Sequence, residues 1–167
     1  MPPRGAGDTS AAGKTLGSGV RAGPTKAMIK ITDLPFNRLI GLVPSTREGC
    51  VLSIPDDIRY TNHLGTVHAG ALMALAEATS GAYLIGALNG VEFKVLPVVR
   101  RVEARFRKPA FGEVHSKIRV EESVRERFLD ELLKKGRALL DVQVDVHDLK
   151  EAHALCAHFE WFVARSE

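Results

Sequence analysis

The sequence predicts an α+β fold in which an antiparallel sheet curls around one long buried helix. Residues 68–88 form the longest uninterrupted apolar segment and are apolar on every side, which is typical of a helix enclosed by other parts of the protein. Four later segments alternate apolar and polar residues, the pattern of antiparallel strands with one buried face. A sheet wrapped around the helix would satisfy both patterns.

The elements before the long helix are predicted to be short. Asp33 is expected to cap a helix that has Pro35 in its first turn and Gly41 as its stop. This helix should present one apolar face. Residues 50–58 are predicted to form the first strand, and residues 59–67 a loop. The apolar face of the short helix is expected to be formed by Phe36, Leu39 and Ile40.

The elements after the long helix are predicted to be four strands and a second helix. Alternation places one residue in two on a shared strand face. The second helix is expected between the second and third of these strands, because Ser123 and Glu126 match a capping box and Gly136 suits a helix stop. The residues expected to share faces are Val98, Arg100, Val102, Ala104 and Phe106 in the first strand, Val114, Ser116, Ile118 and Val120 in the second, Leu140, Val142, Val144 and Val146 in the third, and Leu155, Ala157, Phe159, Trp161 and Val163 in the fourth.

The first 27 residues differ in composition from the rest. They contain six glycines, three prolines and no aromatic residue, so they cannot bury enough surface to offset the entropy of ordering them. We therefore expect a disordered tail at 1–27 and one folded domain at 28–167, with a targeting leader as the alternative for the tail. The tail carries the whole net charge of +3. The domain itself is neutral, so no nucleic-acid partner is expected.

The cysteine count and the position of one acidic residue indicate where in the cell the protein would be found. Cys50 and Cys156 are too few for a disulfide framework and lack metal-ligand spacing, so we expect reduced thiols in the cytoplasm and no metal. Glu77 lies near the middle of the apolar segment, where a carboxylate costs roughly 2.5–3.5 kcal/mol in a bilayer. No membrane association is therefore expected.

Glu77 and the start of the long helix are the candidates for chemistry. Glu77 is the only residue between Ala69 and Leu88 that is charged at neutral pH. A buried carboxylate is costly unless it is paired or hydrogen-bonded, so it is either a functional group or one half of a structural pair with a residue such as Arg100. Gly70 lies in the first helical turn, where free amides and the helix dipole can hold a carbonyl oxygen. His68 is equally compatible with a packing or capping role.

The run from Asn62 to Glu77 resembles the motif of hotdog-fold acyl-CoA thioesterases of the phenylacetate-pathway-like group. In that motif an asparagine precedes Gly-Thr-x-His-Gly-Gly and a helix that carries an acidic residue. Asn62 lies six residues before His68, and Glu77 nine residues after it, as in the motif. The resemblance extends over 28–167. It departs from the motif at Ala69, which replaces a glycine, and at Val99, where some relatives have a hydroxyl side chain.

The resemblance implies a hotdog fold that hydrolyses an acyl-CoA thioester, as a homodimer or a dimer of dimers and without a cofactor. It implies that the Gly70 amide polarises the carbonyl, that Asn62 and His68 orient the thioester or the attacking water, and that Glu77 of the partner chain is the general base. Gly70 and Glu77 of one chain are about 10.5 Å apart along a helix, which a shared site would explain. The residues implied near the substrate are His63, Gly65, Val99, Arg100, Arg107 and Lys108.

Two alternatives stay open. His63 lies fourteen residues before Glu77, a spacing that resembles hotdog hydroxyacyl dehydratases, although the Pro-Gly turn before their helix is absent here. A non-catalytic, acyl-CoA-binding dimer is compatible with Ala69 and Val99. Release of free thiol would exclude the dehydratase, and tight binding without turnover would favour the binding protein.

Overall fold

A computed structural model describes residues 29–167, so the predicted tail at 1–27 lies outside the described residues. Two 3₁₀ turns, Ile31–Asp33 and Ile58–Tyr60, lie before and after the first pair of strands. The helices are α1 (Pro35–Leu39), α2 (Ala69–Ala87) and α3 (Glu122–Lys135), and the strands are β1 (Val43–Pro44), β2 (Leu52–Ile54), β3 (Val95–Phe106), β4 (Val114–Arg119), β5 (Arg137–Asp148) and β6 (His153–Arg165).

The six strands form one antiparallel sheet in the order β1-β2-β4-β5-β6-β3. Helix α2 packs against β2, β4, β5 and β6 on one face of this sheet, which we call the inner face. Leu75 and Ala76 of α2 are fully buried, as are Val144 of β5 and Phe159 of β6. The structure confirms the predicted sheet around a long helix.

Strand β3 departs from the predicted alternation because it contains a bulge. Its pairing with β6 skips one residue, Arg100, between Val99 and Arg101. A bulge moves the residues that follow it to the other face relative to strict alternation. Val98 therefore lies on the outer face beside Phe162. The residues after the bulge that were predicted to share its face lie instead on the inner face. They are Val102, Ala104 and Phe106, which pair with Phe159, Ala157 and Leu155.

The short elements near the N-terminus differ from the prediction. Helix α1 begins after Leu34 without a side-chain cap, because Asp33 belongs to the preceding 3₁₀ turn. Its predicted apolar face is wrong. Phe36 and Leu39 are 60% and 76% exposed, whereas Asn37 is buried and donates a hydrogen bond to the Ile31 carbonyl.

Two further boundaries were predicted incorrectly. The strand predicted at 50–58 is only β2, because Asp57 accepts a hydrogen bond from the Arg59 amide and starts a 3₁₀ turn. The capping box is also wrong. Helix α3 starts at Glu122, so Ser123 lies inside the helix and caps nothing. The predicted stop is confirmed, since Gly136 has a φ of 68° that favours glycine.

Candidate active site

The loop before α2 is shaped by the side chain of Asn62. Its Oδ1 accepts hydrogen bonds from the amides of Leu64 and Thr66, and its Nδ2 donates to Thr66 Oγ1 at 2.8 Å. Gly65 completes the turn with a φ of 72°, which a residue with a side chain rarely adopts. Asn62 therefore positions the loop, and its polar atoms are engaged within it.

His68 is the N-cap of α2. Its Nδ1 accepts a hydrogen bond from the Gly70 amide at 2.9 Å, and its own backbone amide donates to the Tyr60 carbonyl at 2.7 Å. The predicted Gly70 amide thus lies where expected, in the first turn of the helix, but an imidazole occupies it. Both His68 and Gly70 are exposed.

Glu77 lies on the same helix face as Gly70. Residues 70, 74, 77 and 81 follow the helical repeat along one strip of α2. Gly70 is exposed, whereas Ala74 and Glu77 are half-buried. Burial raises the pKa of the Glu77 carboxyl above its ordinary value. Within residues 29–167 this carboxylate has neither a hydrogen bond nor an ion pair, so a structural pair with Arg100 is not formed.

A buried chain of hydrogen bonds connects the turn of α2 that carries Glu77 to the sheet. The Trp161 indole N–H donates to Ser80 Oγ at 3.1 Å, and Ser80 Oγ donates to the Glu77 carbonyl at 2.7 Å. Ser80 is fully buried, and Trp161 is 8% exposed. The alternation of β6 places Trp161 on the buried face, but its spacing carries no information about a partner 81 residues away.

An open groove of about 300 Å³ adjoins the N-terminus of α2 and brings some of the predicted residues together. Leu64, Leu72 and Phe106 supply apolar walls, and Asn62, Arg107 and Lys108 also line it. Arg107 and Lys108 are exposed. Sequence reasoning missed Leu64 and Phe106, because only the folded chain shows that the end of β3 lies beside the loop.

Four of the predicted substrate residues do not line the groove, and one of them is Gly65, which forms the turn of the loop. His63 is exposed in the loop and does not line the groove. Val99 is half-buried opposite Trp161. Arg100, the bulge residue, lies with its guanidinium 5.5 Å from the centre of the Phe162 ring, and Phe162 faces the outer side of the sheet.

A larger cavity, of about 430 Å³, lies on the outer face of the sheet. Its walls are charged, and most of the charges pair within the chain: Glu103 contacts Arg101 and Arg105, and His158 contacts Asp141. Arg107 and Glu160 also line it and have no ion pair among the described residues. Paired charges on an exposed sheet face are a solvated surface. We therefore assign the site to the groove and the strip of α2 that runs from the exposed Gly70 to the half-buried Glu77.

Neither a membrane span nor a metal cluster accompanies this site. In residues 29–167 no helix combines the length and the apolarity that crossing a bilayer requires. The same residues contain no group of three or more His, Cys, Asp or Glu side chains that could hold a metal ion.

A family model described as "Domain of unknown function (DUF4442)" matches residues 40–163 of the chain. No curated protein is significantly similar in sequence.

Solved structures with the same fold include three bacterial proteins. PA5026 of Pseudomonas aeruginosa, a protein of unknown function, is 23% identical with a TM-score of 0.66, over 81% of this chain and 91% of that one. The thioesterase HI1161 of Haemophilus influenzae is 18% identical with a TM-score of 0.59, over 81% and 86%. BH2602 of Bacillus halodurans, solved with CoA, is 15% identical with a TM-score of 0.53, over 67% and 69%. At these identities the likeness shows the hotdog fold.

Proposed function

The chain belongs to the DUF4442 family, and from its site we propose that it hydrolyses an acyl-CoA thioester to a free acid and coenzyme A. The observation that carries the proposal is Glu77, a half-buried carboxylate that has no hydrogen bond or ion pair within residues 29–167 and lies on the strip of α2 that begins at Gly70. The motif from Asn62 to Glu77 supports it, as do the relatives: one is called a thioesterase, and another was solved with CoA.

In the proposed reaction the thioester carbonyl lies at the first turn of α2. Amide donors and the helix dipole stabilise negative charge there as the tetrahedral intermediate forms. Glu77 takes a proton from the attacking water, whose oxygen bonds to the carbonyl carbon. The C–S bond then breaks, and the coenzyme A thiolate leaves and is protonated.

The groove at the start of α2 suits the rest of the substrate. Leu64, Leu72 and Phe106 give it apolar walls for a hydrocarbon segment, and Arg107 and Lys108 place positive charge beside it. Basic side chains at this position suit the phosphates of coenzyme A, and arginine in particular forms bidentate phosphate contacts. Asn62 contributes by fixing the loop that forms one wall.

A second copy of the chain would complete the site, since Gly70 and Glu77 of one chain are about 10.5 Å apart along the helix. Two features support such a dimer. Strand β3 is a twelve-residue edge strand, and its Val98, Val102 and Phe106 are 47%, 42% and 53% exposed. Long edges with exposed apolar residues favour pairing with another strand. A two-fold axis beside β3 would also set the two α2 helices antiparallel on one side of the joined sheet.

A test of the function is thiol release from short, medium, long and aromatic acyl-CoAs by the wild type and Glu77→Gln. The substitution keeps the side-chain shape but removes the base, so turnover should fall by about 10²- to 10⁴-fold while acyl-CoA binding is retained. Glu126→Gln, an exposed position on α3, is the matched control and should keep wild-type turnover.

The same screen separates the alternatives. Release of thiol by the wild type excludes a dehydratase, whose reaction leaves the thioester intact. Acyl-CoA binding without thiol release for any chain length would favour a binding protein and overturn the proposal. Wild-type turnover by Glu77→Gln would remove Glu77 from the mechanism.

A further inference from the structure

His115 of β4 is buried although it lies on the outer face of the sheet. The alternation of the strand turns its neighbour Ser116 towards α2 and His115 away from it, yet His115 is only 3% exposed. Residues 43–50, which we call the flap, lie over this ring. Ser45 Oγ of the flap is 2.9 Å from His115 Nδ1, and the same oxygen accepts the Arg47 amide at 3.1 Å. No residue from 43 to 50 is itself buried, so the flap covers a titratable ring without being anchored in the core.

His115 belongs to a row of three histidines on neighbouring strands. It pairs in register with His147 of β5, which pairs in turn with His153 of β6. The rings of His147 and His153 are stacked with their centres 4.6 Å apart. The formal charges around the row balance while the three rings are neutral, so a proton added to it gives a net positive charge. The positive groups are Arg47, Lys117 and Arg119, and the negative groups are Glu113, Asp145 and Glu151.

We propose that the flap opens in acid: it stays on the sheet while His115 is neutral, and it is released when His115 takes up a proton. The ring nitrogen Nε2 is buried without a hydrogen bond among the described residues, so the N–H of a charged ring would have no acceptor there. A Glu113 carboxylate oxygen 3.6 Å away offsets part of this cost, whereas Arg47 and Lys117 add to it by repulsion. Opening the flap exposes the ring to water and moves Arg47 away from it.

The sign of the effect follows from the two environments of the ring. Burial lowers the pKa of His115 in the closed form below the usual histidine value, whereas a hydrated ring has a pKa of about 6.5. The open form therefore binds the proton more tightly, and its population grows as pH falls below about 6.5.

The contacts of the flap limit what is released. Strand β1 pairs with β2 through only two residues, and the ion pair from Arg47 to Glu151 is partly exposed, where such pairs contribute little. Leu52 and Ile54 of β2, in contrast, are buried in the core. Release should therefore end before β2 and leave the rest of the sheet intact.

Amide exchange followed by NMR between pH 7.5 and 5.5 tests the flap. The opening constant of an amide is its exchange rate divided by the intrinsic rate of a free amide at the same pH. The Ser45 and Cys50 amides are hydrogen-bonded in the closed flap, so their opening constants should rise towards tenfold per pH unit below about 6.5, the slope for one proton. The paired amides of β5 and β6 should keep their opening constants over this range.

A pair of variants assigns the effect to His115. His115→Asn keeps a polar group at the position of Nδ1 but cannot take up a proton, so the flap amides should lose their pH dependence. His158→Asn is the matched control, because His158 also lies on the outer face but is 45% exposed, contacts Asp141 and stands outside the row. It should keep the wild-type pH dependence. Loss of that dependence in both variants, or in neither, would overturn the proposal.

A titration of the unaltered protein covers the case in which His115→Asn folds poorly. The ring signals of His115 and the amide signal of Ser45 should shift with one midpoint, below about 6.5. A His115 ring that titrates without any change at Ser45 would overturn the flap. An equal rise of the opening constants in β5 and β6 would also overturn it, since that result means unfolding of the whole domain. No substrate is present, so the outcome is independent of the proposed thioester hydrolysis.

Discussion

Two ionisable groups, His68 at the N-cap of α2 and Glu77 in the middle of that helix, are held in states that the proposed catalysis would have to use or change. Burial removes part of the hydration of Glu77, and no partner within the part of the chain that the structure describes replaces it, so the pKa of Glu77 is raised. His68 has gained a partner, since its Nδ1 accepts the Gly70 amide, and the accepting nitrogen places the proton of a neutral ring on Nε2. The carboxylate that would act as the base thus has no partner among the described residues. The Gly70 amide, which would hold the carbonyl, already donates to His68.

The raised pKa of Glu77 predicts the acid side of the pH–rate profile. A general base must be ionised, so kcat/KM should fall about tenfold per pH unit as pH decreases through the pKa of Glu77. Because burial raises that pKa, the limb should lie above the ordinary glutamate value of about 4.3. The limb should persist in Glu126→Gln and be absent from the residual activity of Glu77→Gln. A limb that survives in Glu77→Gln would assign it to another group.

Loss of the fold has to be separated from this limb. Burial lowers the pKa of His115 and of His147 below the usual histidine value. Each has a buried ring nitrogen without a hydrogen-bond partner among the described residues, although that of His115 lies 3.6 Å from a Glu113 carboxylate oxygen. For such groups the unfolded chain binds protons first, so their contribution to stability is lost as pH falls below about 6.5. Circular dichroism at each pH therefore accompanies the rate measurements.

Helix α2 and strands β2 and β4 meet at one buried hydroxyl, that of Ser116. Its Oγ accepts the Leu52 amide at 3.2 Å, lies 3.1 Å from the Leu52 carbonyl, and lies 2.7 Å from Thr79 Oγ1. Thr79 in turn donates to the Leu75 carbonyl. Ser116 and Thr79 are fully buried. One serine therefore joins strands β2 and β4 to the helix that carries Glu77.

This junction predicts an unequal response to two substitutions. Ser116→Ala removes the acceptor of the buried Leu52 amide and should lower the free energy of unfolding by about 1–3 kcal/mol. Thr79→Val keeps the side-chain shape and leaves the contacts between Ser116 and Leu52, so it should cost less than about 1 kcal/mol. Urea denaturation with both variants measures the difference. If both variants lose the same free energy of unfolding, Ser116 stabilises the fold through its contact with the Thr79 hydroxyl and not through the Leu52 amide.

The elements that the sequence predicted well are those governed by long-range periodicity. Helix α2 could be placed within one residue at each end because its nineteen residues carry a single charge, that of Glu77. Strands β5 and β6 alternate over most of their length, with exceptions at Asp145 and Ala154, which are buried beside buried neighbours. The bulge at Arg100 was not predictable, since a local insertion leaves alternation intact on either side. The caps failed because Glu121 and Leu34, which precede α3 and α1, use no side-chain cap bond.

The candidate site likewise divides into residues that a sequence pattern marks and residues that only the folded chain brings together. Asn62, His68, Gly70 and Glu77 could be singled out because a local motif and a lone charge mark them. The groove walls Leu64 and Phe106 come from a loop and a strand that are far apart in sequence. The occupation of the Gly70 amide by His68 depends on one side-chain rotamer, and spacing alone left capping and catalysis equally open.

At the scale of the whole molecule, two surfaces among residues 29–167 bear on the proposed assembly: the unpaired edge of β3, and the strip of α2 that begins at the exposed Gly70. Edge pairing through β3 would bury apolar side chains of the strand, and it would place the strip of one helix beside the strip of the other. Because the proposed chemistry needs Gly70 and Glu77 closer than one helix permits, both surfaces would be covered by the same two-fold assembly.

Complementation between two inactive variants tests this shared site. In a mixed dimer of Glu77→Gln and Gly70→Val chains, one site combines the intact Gly70 of the first chain with the intact Glu77 of the second. The other site has both changes. Random exchange of equal amounts makes half of the dimers mixed, so activity should recover to about a quarter of the wild-type value for two equivalent sites. Thiol release after subunit exchange, with mixed dimers counted by native mass spectrometry of differently tagged chains, measures the recovery.

The matched control for this experiment is a chain that carries both substitutions. When it exchanges with either single variant, every site retains at least one change, so no activity should return although the same mixed dimers form. If the two single variants also stay inactive after proven exchange, each site uses Gly70 and Glu77 of one chain. Glu77 would then lie about 10.5 Å along the helix from Gly70, whose amide holds the carbonyl. At that distance Glu77 could not take a proton directly from the water that attacks the carbonyl. Recovery in the first mixture alone is therefore the result that requires a base supplied by the partner subunit.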